Sequence, residues 1–263
     1  MTSGDGQDLA VRRETIKSLV LKDGFARIED LTRLLGVSLM TVHRDLDALS
    51  HQGYLTKIRG GATANPNALL ESRVSERMVA MRAEKTAIAA HAAKLLSPGQ
   101  TVFLDDSTTA MAMVPHIIAS APITVATNFV PVIGKLAGVA GIELIVLGGV
   151  YHSVPEACFG SRTVESIGHL HADLALMSTT GINGISCYHR SEITVTSREA
   201  FMANSTVKVL LVDHAKFGRP ATHLLCRLSA FDLVISDTGI DKEDELLLRS
   251  EGINLELASP ASA

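Results

Sequence analysis

The sequence predicts an α/β protein in two parts: an N-terminal winged helix-turn-helix, and behind a linking helix a C-terminal, mostly parallel α/β domain. Three observations predict it. Three short helical segments at the front are followed by an alternating run and paired glycines. An alanine-rich stretch without Gly or Pro fills residues 71–96. Beyond it, short apolar runs alternate with helical ones, the pattern of parallel strands covered on both faces by helices. At 263 residues, 46% of them hydrophobic and 20% charged, the chain is long enough for two unequal domains. It is also apolar enough to bury a large core, which excludes general disorder.

The elements follow in order. The first ten residues are small and polar and read as a loose tail. Residues 11–22 place either Val11, Thr15, Leu19 and Lys22 or Ile16 and Val20 at helical spacing, and Gly24 follows as a stop. Residues 28–35 form a second helix with Ile28, Leu31, Leu34 and Leu35 on one face, broken by Gly36-Val37. Ser38 caps a third helix with Val42, Leu46 and Leu49 inward, and His51-Gln52-Gly53 ends it. Tyr54 to Gly61 reads as a hairpin, or wing. Residues 62–70 look like a linker, and residues 71–96 like one long helix stopped by Ser97-Pro98-Gly99.

Strands are expected at Thr101–Leu104, Ile123–Ala126, Ile142–Leu147, Asp173–Met177, Val207–Val212, Leu233–Ser236 and Ile253–Leu257. Helices are expected near 107–119, 129–138, 161–170, 192–204 and 241–250. The expected domains are therefore 10–64 for the winged helix-turn-helix, 65–98 for linker and linking helix, and 99–263 for an effector-binding α/β domain.

Net charge is −4, which taken alone argues against a nucleic-acid partner. Its distribution says more. Residues 10–64 carry nine Lys/Arg against six Asp/Glu, whereas residues 65–263 carry fifteen against twenty. A small basic part fits a module that approaches a polyanion, and the larger acidic part a different task. The cysteines, Cys158, Cys187 and Cys226, stand apart without a C-x-x-C pair. They argue against a disulfide scaffold and a thiolate zinc site, and for a reducing cytosol. The start, MTSGDGQDLAVRR, has no apolar signal core, and the longest apolar runs fall far short of a membrane span. A cytoplasmic protein with no membrane partner is expected.

The segment Val37 to Leu46 carries the strongest motif. A helix that enters the major groove needs polar side chains on its first turns and apolar ones behind. The candidate DNA contacts are Ser38, Met40, Thr41, His43 and Arg44 on this helix, with Lys57, Arg59, Gly60 and Gly61 on the wing. Arg44 can hold a guanine edge or a phosphate. Asp45 is expected to orient Arg44 or cap a neighbour. Lys57 and Arg59 alternate and face one side, beside glycines that allow close backbone approach to a phosphate. Taken blindly, the same residues are a solvated helix face; the wing beside them tips the balance.

Residues 12–61 resemble the helix-turn-helix of the DeoR/GlpR family of bacterial sugar-responsive regulators. The family pattern stands here as Val37-Ser38, Thr41-Val42, Arg44-Asp45-Leu46, Leu49, Gly53-Tyr54-Leu55 and Arg59-Gly60-Gly61-Ala62. One departure is His43, where the family often has Arg; a histidine carries less positive charge at neutral pH.

In the α/β part, polar or glycine-rich clusters sit just past several strands. They are Asp105-Asp106-Ser107-Thr108-Thr109, Thr127-Asn128, Gly148-Gly149, Thr179-Thr180-Gly181 and Asp213 to Gly218. Clusters on one sheet edge suggest a ligand site. Ser107 or Thr108 can cap the next helix, whose N–H groups would receive an anion. The candidate effector-binding residues are Asp105, Asp106, Ser107, Thr108, Thr109, Asn128, Gly148, Gly149, Thr180, Gly181, Asp213 and Lys216. Lys216 would balance a phosphate, while Asp105 and Asp213 would accept sugar hydroxyls. Tyr188 to Glu192 reads equally as a pocket mouth or a surface loop. His169, His171 and Asp173 have metal-like spacing, but histidines at a helix end are more often plain surface, and no metal or cofactor is expected.

Residues 71–257 are similar to the C-terminal sensor domain of the same family. Its marks appear as Glu84-Lys85-Thr86-Ala87-Ile88-Ala89, Leu104 to Thr109, Thr127-Asn128, Leu147-Gly148-Gly149, Gly181-Ile182-Asn183, Asp213 with Lys216-Phe217-Gly218, and Ile235-Ser236-Asp237. The resemblance implies a fold like ribose-5-phosphate isomerase, a phosphorylated sugar or related metabolite as effector, and operator DNA as partner. It implies a repressor of carbohydrate-metabolism genes acting as a homo-oligomer, dimer or tetramer. Two departures stand out. Asp106-Ser107 replaces a residue and Gly, leaving Asp106 to point either at ligand hydroxyls or away, and the 192–204 segment lacks a common Lys-Arg pair, so that either Arg190 and Arg198 substitute or the ligand carries less negative charge. No enzyme activity is expected. The rival readings are a sugar-phosphate isomerase with a DNA-binding appendage, using Asp105, Asp213 or Glu192 as base, and a ligand-independent architectural DNA binder.

Overall fold

The computed structural model describes residues 4–23, 25–51, 54–64 and 74–260. The chain divides into two units, Met1–Arg73 and Val74–Ala263. The first holds helix α1 (Gly4–Asp23), strand β1 (Phe25–Arg27), helices α2 (Ile28–Leu35) and α3 (Leu39–His51), and strands β2 (Leu55–Ile58) and β3 (Gly61–Ala64). Of the two faces that spacing offers for the first helix, the Ile16-Val20 face packs, while Val11 of the other is 63% exposed. Ile16, Val20, Ile28, Leu31, Val42, Leu46, Leu49, Leu55 and Ala62 form one core. Leu34 does not join it and is 62% exposed.

Two local differences have physical reasons. Residues 4–10, expected as a loose tail, are helical, because each residue added to an existing helix gains a backbone bond at little cost. The wing is a three-stranded sheet ordered β1-β3-β2, since the three-residue strand β1 pairs antiparallel with β3. The expected stops at Gly24 and at Gln52-Gly53, and most of the expected 62–70 linker, lie outside the described residues.

Asp45 corrects another expectation. It sits one position from Leu46 on the buried face of α3 and is 1% exposed. Arg44 projects from the opposite side and is exposed. Asp45 therefore receives Arg12 Nε at 2.6 Å and Arg13 Nε at 2.8 Å, tying α3 to α1. A buried carboxylate requires such donors.

The second unit opens with α4 (Val74–Val79), α5 (Arg82–Ala92) and a 3-10 turn (Ala93–Leu95). Then come β4 (Thr101–Leu104), α6 (Thr108–Met111), α7 (Val114–Ala119), β5 (Ile123–Thr127), α8 (Val130–Leu136) and β6 (Ile142–Val146). Next are β7 (Val150–His152), β8 (Ala157–Phe159), α9 (Ser161–Gly168), β9 (Ala172–Met177), β10 (Gly181–Asn183), β11 (Ser186–His189) and α10 (Glu192–Ala203). The unit ends with β12 (Ser205–Leu211), a 3-10 turn (His214–Lys216), β13 (His223–Arg227), a second 3-10 turn (Leu228–Ala230), β14 (Leu233–Asp237), α11 (Lys242–Ser250) and β15 (Leu255–Ala258).

The seven predicted strands form one sheet in the order β15-β14-β12-β9-β4-β5-β6, every pair parallel. Alternate residues of each strand serve two cores. Val102, Leu104, Val125, Leu176, Val209 and Ile235 face one layer. Phe103, Ala126, Ala175, Met177, Leu210 and Val234 face the other. Both faces are apolar, as a covered parallel sheet requires. The antiparallel strands β10-β11-β13 and the β7-β8 hairpin were not predicted; at three to five residues they show no period that separates them from loops.

The single helix expected over 71–96 is two helices. They meet at Met81, in the left-handed region at φ 54°, ψ 39°. Helix α5 packs through Ile88, Ala89 and Ala92 on the sheet. Its N-terminus therefore belongs with the α/β unit. The expected 107–119 helix is likewise split ahead of Pro115.

Chain order places the site. From β4 the chain builds outward through β5 and β6, then returns to the other side of β4 with β9 and continues through β12. The crevice beyond the carboxyl ends of β4 and β9 is thus the topological switch point, where such sheets receive ligands.

Asp45→Ala leaves Arg12 and Arg13 without their shared acceptor. Unfolding of the winged-helix unit in urea is expected to lose about 2 kcal/mol. An unchanged midpoint would show that the clamp contributes nothing.

Candidate functional site

In the first unit, helix α2 ends at Gly36, whose N–H donates to Thr32 O at 3.0 Å. The chain then enters α3 through Ser38. Thr41 N–H donates to Ser38 Oγ at 3.2 Å, and the two hydroxyls lie 2.9 Å apart. This cap fixes the first turn of α3. Ser38, Met40 and Arg44 are exposed there, and Thr41 and His43 half-buried. Arg44 makes no ion pair among the described residues, so its guanidinium is available.

The wing differs from its sequence reading. Lys57 lies on β2, but Arg59 and Gly60 form the turn, so the two basic side chains do not share a strand face. Lys57 Nζ reaches Asp47 Oδ1 of α3 at 2.5 Å and pins the wing to the helix. Gly61, assigned to close phosphate approach, is buried. A Cβ there would lie 2.5 Å from Ala26 O and from the Phe25 ring, so packing against β1 demands the glycine.

In the second unit the strand-end residues converge on the switch point. Asp105 is its organiser. Ser107 N–H donates to Asp105 Oδ1 at 3.0 Å, and Ser178 N–H, beyond β9, donates to Oδ2 at 2.8 Å. Arg198 of α10 is 2% exposed; its Nη2 lies 2.9 Å from Asp105 Oδ2, and its Nη1 3.0 Å from Asp106 Oδ1. Arg198 Nε also donates to Ser178 O at 3.1 Å. Burial pushes the Asp105 carboxyl up, while Arg198 and the two N–H groups pull it down. Three donors on two oxygens suit the carboxylate, so the pair is charged. Burial opposes the Arg198 charge, but Asp106 and Asp105 more than offset it and hold the guanidinium protonated.

The expectation that Asp105 accepts ligand hydroxyls is thus revised, and of the two directions open to Asp106 it takes the one toward Arg198. A buried arginine from another helix claims both. Ser107 caps α6, with Ala110 N–H donating to its Oγ at 3.0 Å. That helix is only four residues long, so its dipole is too short to define an anion site.

The cations define it instead. Lys85 projects from the inward face of α5, bonded to the carbonyl oxygens of Arg77 and Ala80 and to Thr108 Oγ1 at 3.2 Å. Burial lowers its pKa, against the pull of Asp213, and Arg77 lowers it further. Lys216, on the turn after β12, is lowered to about 8; burial is the main cause, opposed by Asp213 and reinforced by Arg219, Lys85 and Arg77. His189 on β11 is driven well below its ordinary value by burial and then by the charges of Arg198, Arg77, Lys216 and Arg190. These groups feel one another because they share one region. The 188–192 segment therefore faces the site, at least through His189. Among the described residues, buried Asp213 Oδ1 and His189 Nδ1 have no hydrogen-bond partner.

Asp237, from the late motif, holds the Lys216 turn in place. It accepts His214 N–H at 2.8 Å, and its other oxygen lies 2.6 Å from His214 Nδ1. Gly181 belongs to the site through packing, since a Cβ there would lie 2.1 Å from Arg219 O. Thr180 is half-buried beside it. Toward β6, Asn128 Nδ2 donates to Cys158 O at 2.9 Å, and Thr163 Oγ1 donates to Gly148 O at 2.7 Å. Gly148 and Gly149 are exposed there. Asp173 accepts Thr101 N–H at 2.8 Å, and His171 Nε2 lies 2.9 Å from Thr206 Oγ1, so these two are engaged in packing the sheet.

Sequence reasoning missed Lys85 here and left His189 between a pocket mouth and a surface loop. Lys85 was legible: it shares a helix face with Ile88, Ala89 and Ala92, where a lysine needs a reason to be buried.

Comparison with known proteins matches both units. The DeoR-like helix-turn-helix domain matches residues 12–68, and the DeoR C-terminal sensor domain matches residues 80–238. An uncharacterized HTH-type transcriptional regulator of Escherichia coli K12 is 30% identical, over 94% of this chain and 97% of its own. The regulator GolR of Listeria innocua is 30% identical, over 94% and 98%. The glycerol-3-phosphate regulon repressor of Escherichia coli K12 is 28% identical, over 94% and 98%. Among solved structures, ribose 5-phosphate isomerase A of Methanocaldococcus jannaschii is 14% identical with a TM-score of 0.39, covering 52% of this chain and 55% of that one.

Replacing Arg198 with Met strands two buried carboxylates. The α/β unit is expected to lose about 3–5 kcal/mol of stability by thermal or urea unfolding. Wild-type stability in this variant would remove the ion triad from its organising role.

Proposed function

The chain belongs to the DeoR family of transcriptional regulators, and from that premise we propose that it represses carbohydrate-metabolism genes and releases its operator when an anionic sugar metabolite fills the strand-end site. The observation that carries the proposal is the charge at the switch point. Arg198 is neutralised by Asp105 and Asp106, while Lys85, Lys216 and Arg219 act on the same small region, with Asp213 as the carboxylate that opposes both lysines. Such a surplus suits a phosphate group. Asp213 Oδ1 and His189 Nδ1 are buried acceptors for ligand hydroxyls. Thr108, Thr109, Thr180 and Asn128 line the approach, and Gly148 and Gly149 its outer rim. Asp105 and Asp106 act as positioning residues. The relatives' names support the reading, since one is a repressor of a glycerol-3-phosphate regulon.

At the other end, Ser38, Met40, Thr41, His43 and Arg44 present the exposed first turns of α3 to the major groove, with Arg59 and Gly60 of the wing turn at the backbone. Lys57 contributes through Asp47, and Gly61 through packing. One recognition helix reads too few base pairs for useful specificity, so the protein acts as an oligomer.

The isomerase rival loses ground at two of its three proposed bases. Asp105 is locked to Arg198, and Glu192 is exposed at the start of α10. We therefore read the protein as a regulator without turnover. No helix among the described residues is long and apolar enough to cross a membrane.

Two measurements test the function. In a gel-shift assay with promoter fragments of its own genome, Arg44→Ala is expected to abolish retardation and His43→Ala to weaken it; equal retention by both would displace α3 from the groove. Sulfate, whose charge is constant over the range, is the probe for the second site. A lysine binds an anion only while protonated, so its affinity is expected to hold up to about pH 8, the value for Lys216. Above that it is expected to fall by about tenfold per pH unit. Calorimetry showing a flat profile to pH 9.5, or the same profile in Lys216→Met, would remove Lys216 from the site.

A further inference from the structure

Helices α4 and α5 meet at Ala80-Met81, where Met81 takes a left-handed backbone that side-chain-bearing residues rarely adopt. No glycine relieves the bend, so neighbouring contacts must hold it. That contact is Lys85. Its ammonium bonds to the carbonyl oxygens of Arg77 and Ala80, the latter at 2.7 Å, on the far side of the bend. The same ammonium bonds to Thr108 Oγ1 in the strand-end loop, and Thr108 Oγ1 donates in turn to Arg77 O at 3.3 Å. The last turn of α4, the bend and the site loop thus share one buried cation. Val74, the first residue of α4, is 2% exposed and joins the core beneath. By chain order α4 is the first element of this unit after the winged helix-turn-helix.

We propose that Lys85 couples the strand-end site to the Ala80-Met81 bend: an anionic group in the site draws the ammonium off the carbonyls of Arg77 and Ala80, and helix α4 loosens. The coupling rests on the anion site proposed above. Its physical basis is a competition. A carbonyl offers a dipole, whereas a phosphate offers full charge at the same hydrogen-bonding distance, and in a buried region the charge wins. The four-carbon stem of lysine lets the ammonium swing without moving α5. Once it leaves, Arg77 O keeps only the Thr108 hydroxyl as a side-chain donor, Ala80 O loses the ammonium, and the bend loses its brace. The ligand class this selects is a compact phosphate or similar dianion, because a neutral sugar cannot outbid the carbonyls. Lys85 thereby acts as both a ligand-sensing and a positioning residue.

Amide hydrogen exchange on the full chain at pH 7.5, with and without inorganic phosphate, tests the coupling. In the wild type, phosphate is expected to protect residues 107–109 and 216–218 and to speed exchange of residues 78–81 by about tenfold or more. Lys85→Met is expected to exchange fast at 78–81 without phosphate and to show no further response. Thr108→Val keeps the ammonium and guards against a Lys85→Met chain that fails to fold; it is expected to speed 78–81 by about threefold. Protection of the loops with no change at 78–81 overturns the coupling and spares the site. Wild-type exchange at 78–81 in folded Lys85→Met also overturns it. Absence of loop protection in the wild type overturns the site and the coupling together.

Discussion

The α/β unit is organised around one buried ion triad. Arg198 comes from α10, Asp105 and Asp106 from the loop after β4, and Ser178 from the loop after β9. The triad closes the crevice between the two strands at which the sheet reverses direction. In a doubly covered sheet that crevice is where polar groups must gather, because the strand ends expose backbone that the helices do not cover. Burying three charges is costly, and removing one would leave the others uncompensated. The triad therefore fixes the geometry of the loops that surround it: Ser107 as a cap, Thr108 against Lys85, and Ser178 beside Thr179.

From that fixed floor the charge balance follows. With both other carboxylates engaged by Arg198, Asp213 is the carboxylate that acts on both Lys85 and Lys216. The depressed Lys216 and the neutral His189 are two signs of the same crowding. Cations held together in a buried region, at a cost in stability, are the feature on which the proposed anion site rests. In the winged-helix unit the logic is inverted. Asp45 and Asp47 engage Arg12, Arg13 and Lys57 to set the frame, and Arg44 is left over at the tip.

Much of this was legible in the sequence. The seven strands of the sheet were, because their apolar runs are bounded by Gly, Pro, Ser and Asn and separated by helical spacing. The recognition helix was, because the Ser38 cap and the Val42-Leu46-Leu49 face are local signals. What escaped depended on contacts between distant segments. Nothing near Asp45 in sequence shows that α1 will deliver two arginines to it. The break at Met81 carries no Gly or Pro and is imposed by the way α5 packs. Arg198 looked like a ligand for the effector because its carboxylate partners lie far away in the chain. Lys85 was hidden for a different reason: its motif was read as a family mark, although its helix face pointed inward.

The account stands on a single claim, that occupancy of the strand-end site changes the grip of the winged helix-turn-helix on DNA. Fluorescence anisotropy with a retained promoter fragment, titrated with a panel of phosphorylated sugars at fixed low ionic strength, tests it most directly. At least one phosphorylated compound should release the DNA, while its unphosphorylated counterpart leaves it bound. DNA affinity that is indifferent to every member of the panel, with calorimetry showing that one of them binds the protein, would contradict the claim.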